Sequence, residues 1–299
     1  MRFHIFAIFP LVANAVNIIS SNDDGWAEVN IRALFESLGA AGHSVVVSAP
    51  AENQSGTGML WSKQKTPTVL TGPCEFNSCP SGSPAVGFNS SEPRLGYVNS
   101  YPVTSIKYGI DSRAQQFFNG PPDLAVAGPN VGHNIGLTVY ISGTVGAAAY
   151  AAHAGIPAIA FSGATGSQTS WDTPRPHYSD VYADLATNLT NHVVAAGKPY
   201  LPNDIWLNVN FGKVSDSRCT NPAEFSFVLS RIQIALPFIT PDDVTTCGRS
   251  RLPSELEVSL ASGCYASVSV GVAASKSDAN ATMQGVVLKN LGNLLTCLP

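Results

Sequence analysis

The sequence predicts an α/β protein built on a mostly parallel sheet covered by helices, with a β-rich, extended C-terminal segment. Three observations carry that reading. Residues 16 to 50 run strand, loop, helix, strand, the order that lays two strands in parallel beneath a covering helix. Residues 121 to 163 restore the same order. The strands are short continuous apolar runs, such as Val45-Val46-Val47 and Leu124-Ala125-Val126-Ala127, which read as buried.

In chain order, Met1-Arg2-Phe3-His4, the apolar run to Val12 and the small residues of Ala13-Asn14-Ala15 have the three-part layout of a secretory signal. The run is shorter than the roughly 20 apolar residues that span a bilayer. Cleavage after Ala15 leaves a single domain from 16 to 299, opening on the strand Val16-Asn17-Ile18-Ile19. Ile31, Leu34, Phe35 and Leu38 share one helical face, so a helix is expected from about 27 to 41, with Gly42 as its stop. Residues 51 to 104, rich in Gly, Ser, Pro and Thr, read as long loops or hairpins beside the sheet. After the 124–127 strand come a Gly/Asn loop, an Ala-rich helix over 142–154 and a strand at 156–161. A helix over 178–196 and a strand over 205–209 follow. The C-terminal extension, from about 211, is strand-like and Ser-rich from about 221, until a helical turn near 285–295. There are no repeats and no heptads.

Composition narrows the function. The chain of 299 residues is 44% hydrophobic, enough for a large core, and only 12% charged, about half the usual share. A net charge of -4 leaves no basic footprint for a nucleic-acid polymer. Sequons at Asn53, Asn89, Asn188 and Asn280, together with six cysteines, agree with export to an oxidising, extracellular setting. Cys74 and Cys79 are near enough to bridge locally; spacing leaves the pairing of Cys219, Cys247, Cys264 and Cys297 open. No Cys/His cluster suggests zinc.

Four loops carry the chemistry, and each follows a strand or opens a helix. Asn22-Asp23-Asp24-Gly25 ends the first strand, where parallel sheets bind ligands. Adjacent carboxylates repel unless a cation or proton intervenes, and hard divalent cations take such oxygens. Helix capping by one aspartate and solvation of the other accounts for the dipeptide equally well. Asn53-Gln54-Ser55-Gly56-Thr57-Gly58 offers neutral oxygens but lacks the ending of a Walker loop. Gly128-Pro129-Asn130-Val131-Gly132-His133-Asn134-Ile135-Gly136 brings backbone close to a ligand and offers Asn130 as a neutral ligand; its lone His133 reads more readily as solvated than as a base. Ser142-Gly143-Thr144 opens the Ala-rich helix, where free N–H groups and the dipole attract phosphate, although Ser142 is also an ordinary N-cap. A metal on two carboxylates beside such a helix start is the makings of a phosphoryl-hydrolysis site.

At these residues the sequence resembles the SurE family of metal-dependent phosphatases and nucleotidases. NDDG at 22–25, GHSVVVSAP at 42–50, QSGTG at 54–58, PDLAVAGPNVGHNIG at 122–136 and SGTVGAAAYAAHAGIPAIAFS at 142–162 follow that family's order, with LNVN at 207–210 and GCYASVSV at 263–270 as later markers. The resemblance implies a Rossmann-like, three-layer domain with a projecting C-terminal segment used in oligomer contacts, a dimer or tetramer. It implies a divalent metal cation (Mg, Mn or similar) on Asp23, Asp24, Ser55 and Asn130, phosphate-side residues Ser142, Gly143 and Thr144, and Asn22 and Asn134 supporting the pocket. The chain departs at 100–105, where SYPVTS replaces the family's Gly-Thr-Pro-Ala-Asp-Cys and keeps only the proline.

The expected function is therefore a secreted, metal-dependent phosphomonoesterase, an acid phosphatase or nucleotidase acting on small phosphate monoesters, with catalysis at Asp23 and Asp24. An aspartyl-phosphate enzyme of the haloacid dehalogenase type needs Asp-x-Asp, which is missing here. A serine hydrolase needs a G-x-S-x-G elbow, also missing. A secreted metal- or phosphate-binding protein of weak activity on the same fold is the alternative from another class.

Overall fold

The computed structural model describes residues 15–58 and 65–299, so the expected signal segment lies outside the described residues. The strands are β1 (Asn17–Ser21), β2 (Ser44–Pro50), β3 (Val86–Phe88), β4 (Leu95–Val98), β5 (Leu124–Val131), β6 (Ala158–Gly163), β7 (Ile205–Phe211), β8 (Ser226–Ser230), β9 (Tyr265–Val272) and β10 (Leu295–Thr296). They form one sheet in the order β10-β8-β9-β7-β6-β5-β1-β2-β4-β3. All neighbours are parallel except β3 with β4 and β7 with β9. The helices are α1 (Val29–Ala40), α2 (Pro102–Tyr108), α3 (Ala114–Phe118), α4 (Thr138–Ile141), α5 (Gly143–His153), α6 (His177–Ala195), α7 (Glu255–Leu260) and α8 (Ala281–Leu291).

Period-2 alternation in the strands sorts side chains by size onto the two faces. Ile18, Leu124, Val126, Ile159, Phe161 and Leu207 point to one core, which α1, α6 and α8 cover with Leu34, Leu38, Leu185, Leu189 and Val287. Ala125, Ala127, Ala158 and Ala160 point to the other, where they meet Ala147, Ala148, Ala151 and Ala152 of α5. Small residues on both partners let the α5 backbone approach the sheet closely. The three-layer α/β arrangement expected from the sequence is the one found, and helix and strand positions agree within a few residues.

Other parts differ. Residues 51 to 104 were expected beside the sheet, yet Leu95–Val98 joins it, parallel to β2, with β3 folded back antiparallel as the edge. Neither run is long enough to have an unambiguous period. Helical structure through 102–118, with a π-helical turn at Gly109–Arg113 between α2 and α3, was not foreseen. The extension beyond 211 adds β8, β9 and β10 to the same sheet, with β9 running antiparallel to β7 from Phe211↔Ala266 to Ile205↔Val272. Disulfides join Cys74 to Cys79, as expected, and pair Cys219 with Cys264 and Cys247 with Cys297.

Strand β1 lies between β2 and β5, so the chain leaves it in opposite directions on its two sides. Crevices open at the carboxyl ends of strands at such a reversal. The segments following β1 and closing β5 hold the candidate ligands.

Candidate active site

Asp23 and Asp24 follow β1 directly, and both are buried. Asn22 shapes their turn: its Nδ2 donates to the Gly25 carbonyl (2.9 Å), and the Gly25 N–H donates back to its Oδ1 (3.2 Å). Gly25 has φ +109, a left-handed conformation that side chains resist. The turn sends the two carboxylates to different partners. Asp23 Oδ2 accepts the Gly143 N–H (2.9 Å), and its Oδ1 accepts the Thr144 hydroxyl. Asp24 Oδ2 accepts the Val131 N–H at the end of β5 (2.9 Å).

Asn130 and Thr144 complete this centre. Asn130 Nδ2 donates to the carbonyls of Val131 (3.1 Å) and Gly132 (2.7 Å), which fixes the amide and leaves its Oδ1 3.3 Å from the Thr144 hydroxyl. Ser142 caps α5, accepting the Val145 N–H at 3.1 Å. The expectation that the start of α5 offers free donors to phosphate thus meets a helix start already turned on Asp23. A helix N-terminus takes the nearest anion, and here a side chain supplies it. Among the described residues nothing accepts the proton of the Ser142 hydroxyl, whose oxygen acts in the cap as acceptor.

Burial raises the pKa of both aspartates. For Asp23 the bonds from Thr144 and Gly143 oppose that rise. Asp24 is pushed well up by burial and then by the negative charges of Asp23, Glu28 and Glu75. Glu28, whose carboxylate accepts the Asn30 N–H (2.6 Å) at the start of α1, is pushed up to about 8. Among the described residues no basic side chain forms an ion pair with either aspartate. Two adjacent buried carboxylates with no positive partner suit a hard divalent cation. Among the described residues no cluster of three or more His, Cys, Asp or Glu could hold a metal ion, so neutral oxygens such as Asn130 Oδ1 must complete any coordination.

The other expected residues take up distinct positions. Gln54 donates its N–H to the Asp23 carbonyl (2.7 Å), which draws the 53–58 loop to the site. Ser55, the next residue, is exposed, and among the described residues no hydrogen bond joins its hydroxyl to Asp23, Asp24 or Asn130. Gly58 lies against the start of α5, where a Cβ would fall 1.9 Å from the Ser142 carbonyl oxygen. Asn134 is buried behind the site: its N–H donates to Asn210 Oδ1 (2.8 Å) and its Nδ2 to Ser162 Oγ (2.9 Å). His133 is half-buried, and both of its ring nitrogens are engaged. Its Nε2–H donates to the Phe211 carbonyl (2.8 Å), which leaves Nδ1 as acceptor 3.3 Å from the Ser259 hydroxyl, and burial lowers its pKa.

Sequence reading missed several supports. Gln168 Nε2 donates to the Asp24 carbonyl and to Glu75 Oε1 (3.0 Å). Glu75 sits between the bridged Cys74 and Cys79, and that local pair was the one signal available for it. Asn208 and Asn210 of β7 both donate to the Asn134 carbonyl, at 2.8 and 3.2 Å. Glu255, fully buried at the start of α7, accepts from Asn208 Nδ2 (2.7 Å). Lys276 is buried without a carboxylate partner among the described residues; its Nζ donates to the Gly58 carbonyl (2.8 Å), and burial pushes its pKa down to about 8.

The family described as survival protein SurE matches residues 18–229, a span that contains every residue of this centre. The chain belongs to the SurE family. It is 34% identical over 295 residues to an acid phosphatase of Yarrowia lipolytica, covering 87% of this chain and 80% of that one. It is 31% identical over 202 residues to the 5'-nucleotidase SurE of Lawsonia intracellularis, covering 67% of each. The crystal structure of the SurE protein from Aquifex aeolicus shares the fold, with a TM-score of 0.59 and 21% identity over 86% of this chain and 93% of that one.

Proposed function

We propose that this SurE-family chain is a secreted, metal-dependent phosphomonoesterase that hydrolyses small phosphate monoesters such as nucleoside monophosphates. The chain is a phosphoric monoester hydrolase, the class to which its acid phosphatase and 5'-nucleotidase relatives belong. The observation that carries the finer reading is the pair of buried aspartates after β1, one of them bound to the end of β5, without a cationic partner among the described residues.

A divalent cation (Mg, Mn or similar) held by Asp23, Asp24, Asn130 and Ser55 would polarise a phosphoryl oxygen and lower the pKa of a bound water. The chain's own groups prepare the place. Gly143 and Thr144 hold Asp23 by both oxygens, Val131 holds Asp24 by one, and the Asn130 amide is locked with its carbonyl oxygen inward. The dipole of α5 favours negative charge in front of its first turn, and the Ser142 hydroxyl supplies a donor for a phosphate oxygen. Asn22 shapes the turn that carries Asp23 and Asp24, and Asn134 ties the loop after β5 to β6 and β7.

Export is supported by the sequence layout of residues 1–15 and by three disulfides, with no free cysteine among the described residues. Among those residues no helix is long and apolar enough to cross a membrane. A homo-oligomer is supported by Ile234, Leu236, Phe238 and Ile239, large apolar residues exposed in the segment after β8.

The test is a panel of phosphate esters, from p-nitrophenyl phosphate to AMP, assayed with EDTA and with added Mg or Mn. Hydrolysis that disappears with EDTA and returns with a divalent cation is expected. Full turnover in EDTA would refute metal dependence, and absence of turnover on every ester would favour the binding-protein alternative.

A further inference from the structure

A second cavity of about 500 Å³ opens at the same edge of the sheet, beyond the ends of β6 and β7. Its wall includes His133, Lys213, Ser215, Arg218, Ser259 and Tyr265. The loop that closes β5 separates it from the aspartates: Val131 binds Asp24 on one side, and His133 binds Phe211 and Ser259 on the other. Two residues of extended chain reach about 7 Å, so the cavity and the aspartate pair are near neighbours.

Its charge is the reverse of the first site. Lys213 and Arg218 are exposed, and among the described residues neither ammonium nor guanidinium has a hydrogen-bond or carboxylate partner. Lys213 lies near enough to His133 for its charge to oppose protonation of the ring. Ser215 and Ser259 border the same space, their hydroxyls donating to the Arg218 carbonyl and to His133 Nδ1. The rim is held in place. Arg218 closes a tight turn with Ser215, its N–H and carbonyl both paired there, and Cys219 next to it is bridged to Cys264, the residue before Tyr265. Unpaired cations on a braced rim are the chemistry of a phosphate or carboxylate receptor.

We propose that this cavity is a subsite for a second anionic group on the leaving group of the substrate, so that esters carrying two phosphates are preferred over simple monoesters. The assignment rests on the reading of the aspartate centre as the hydrolytic site. The reacting phosphate meets Asp23, Asp24 and the start of α5, while the second phosphate lies between Lys213 and Arg218. A separation on the order of 10 Å between the two phosphates matches the short reach of the intervening loop.

The matched probes are fructose 1,6-bisphosphate and fructose 6-phosphate, with p-nitrophenyl phosphate as a reference carrying one phosphate. The wild type is expected to show the lower KM for the bisphosphate, by roughly ten-fold, the worth of one charge-assisted hydrogen bond. In Lys213→Ala/Arg218→Ala the ratio of kcat/KM for the bisphosphate to that for p-nitrophenyl phosphate should fall by about the same factor, and Arg218→Lys should keep part of it. Equal KM for the two sugars in the wild type, or a ratio unchanged in the double variant, would overturn the subsite. If no ester is turned over, the hydrolytic reading fails; calorimetric binding of the bisphosphate to wild type and double variant then decides the subsite separately, weaker binding by the variant supporting it and equal binding refuting it.

Discussion

The main-chain N–H of Gly143 donates to Oδ2 of Asp23 across 2.9 Å, joining positions 120 apart in the chain. That bond ties the first turn of α5 to the end of β1 and leaves no room for a side chain between them. A Cβ at 143 would fall 2.7 Å from Asp23 Cβ and 2.8 Å from Pro102 Cγ. Gly143→Ala therefore displaces Asp23 by a good part of an ångström, and turnover of p-nitrophenyl phosphate should fall about 100-fold. Far-ultraviolet circular dichroism should stay that of the wild type, and activity within two-fold of wild type would show that Asp23 needs no such placement.

Asp24→Asn should separate stability from activity. The substitution replaces a carboxyl whose ionisation burial and the neighbouring Asp23 oppose, and keeps an oxygen to accept the Val131 N–H. In EDTA at pH 7 its melting temperature should equal or exceed that of the wild type, while activity with added Mg falls below roughly 1%. Thermal unfolding and a phosphatase assay on the same preparation measure both; a clear loss of stability in EDTA would mean that the carboxylate is compensated after all.

Glu255 imposes a pH dependence on folding. Burial raises its pKa from 4.5 to about 8. Between those values the folded chain keeps a proton that the unfolded chain releases, so stability falls as pH rises from about 4.5 to 8 and is fully present below that window. The loss is on the order of a few kcal/mol. Glu255→Gln preserves the bond from Asn208 and should flatten part of the slope, with the other raised carboxyls, Glu28 and Asp24 among them, supplying the remainder. Urea unfolding at pH 5 and pH 8 provides the comparison, and identical slopes in the two proteins would exclude Glu255 as a source.

The disulfides should differ in what they protect. Cys219 and Cys264 are 45 positions apart, and by loop-closure entropy their bridge contributes about 4 kcal/mol. Cys74 and Cys79 are 5 apart, for which the same relation gives about 2 kcal/mol. The shorter one, however, frames Glu75, which holds Gln168 against the Asp24 carbonyl. Cys219→Ser/Cys264→Ser should lose more melting temperature, and Cys74→Ser/Cys79→Ser proportionally more activity. Calorimetry paired with turnover rates checks the ordering, and the reverse pattern would overturn it.

The parts of the molecule legible in sequence are those written in local signals. Continuous apolar runs marked β1, β2, β5 and β6, and the 3.6-residue spacing of Ile31, Leu34, Phe35 and Leu38 marked α1. Asp23, Asp24, Asn130 and Thr144 fall together because each closes a strand or opens a helix at one edge of the sheet. What escaped depends on tertiary contact. Leu95–Val98 is too short to have a distinct period, and its place beside β2 is decided by packing. Gln168 is an ordinary polar residue until the fold sets it beside Asp24, and the LNVN marker at 207–210 carried no hint that Asn210 meets Asn134. The loss of free donors at the start of α5 was likewise invisible, because it needs Asp23 to arrive there.

Lys276 fastens the Gly58 carbonyl from 218 positions downstream. A nascent chain leaves the ribosome N-terminus first, so β1 and its aspartates are made early and wait for that clasp until nearly the whole polypeptide has emerged. The loop carrying Ser55 gains its last fixed point only then. Assembly of the centre is therefore timed by the far end of the chain, and a molecule interrupted before residue 276 would carry every expected ligand yet lack the tether that holds one of their loops in place.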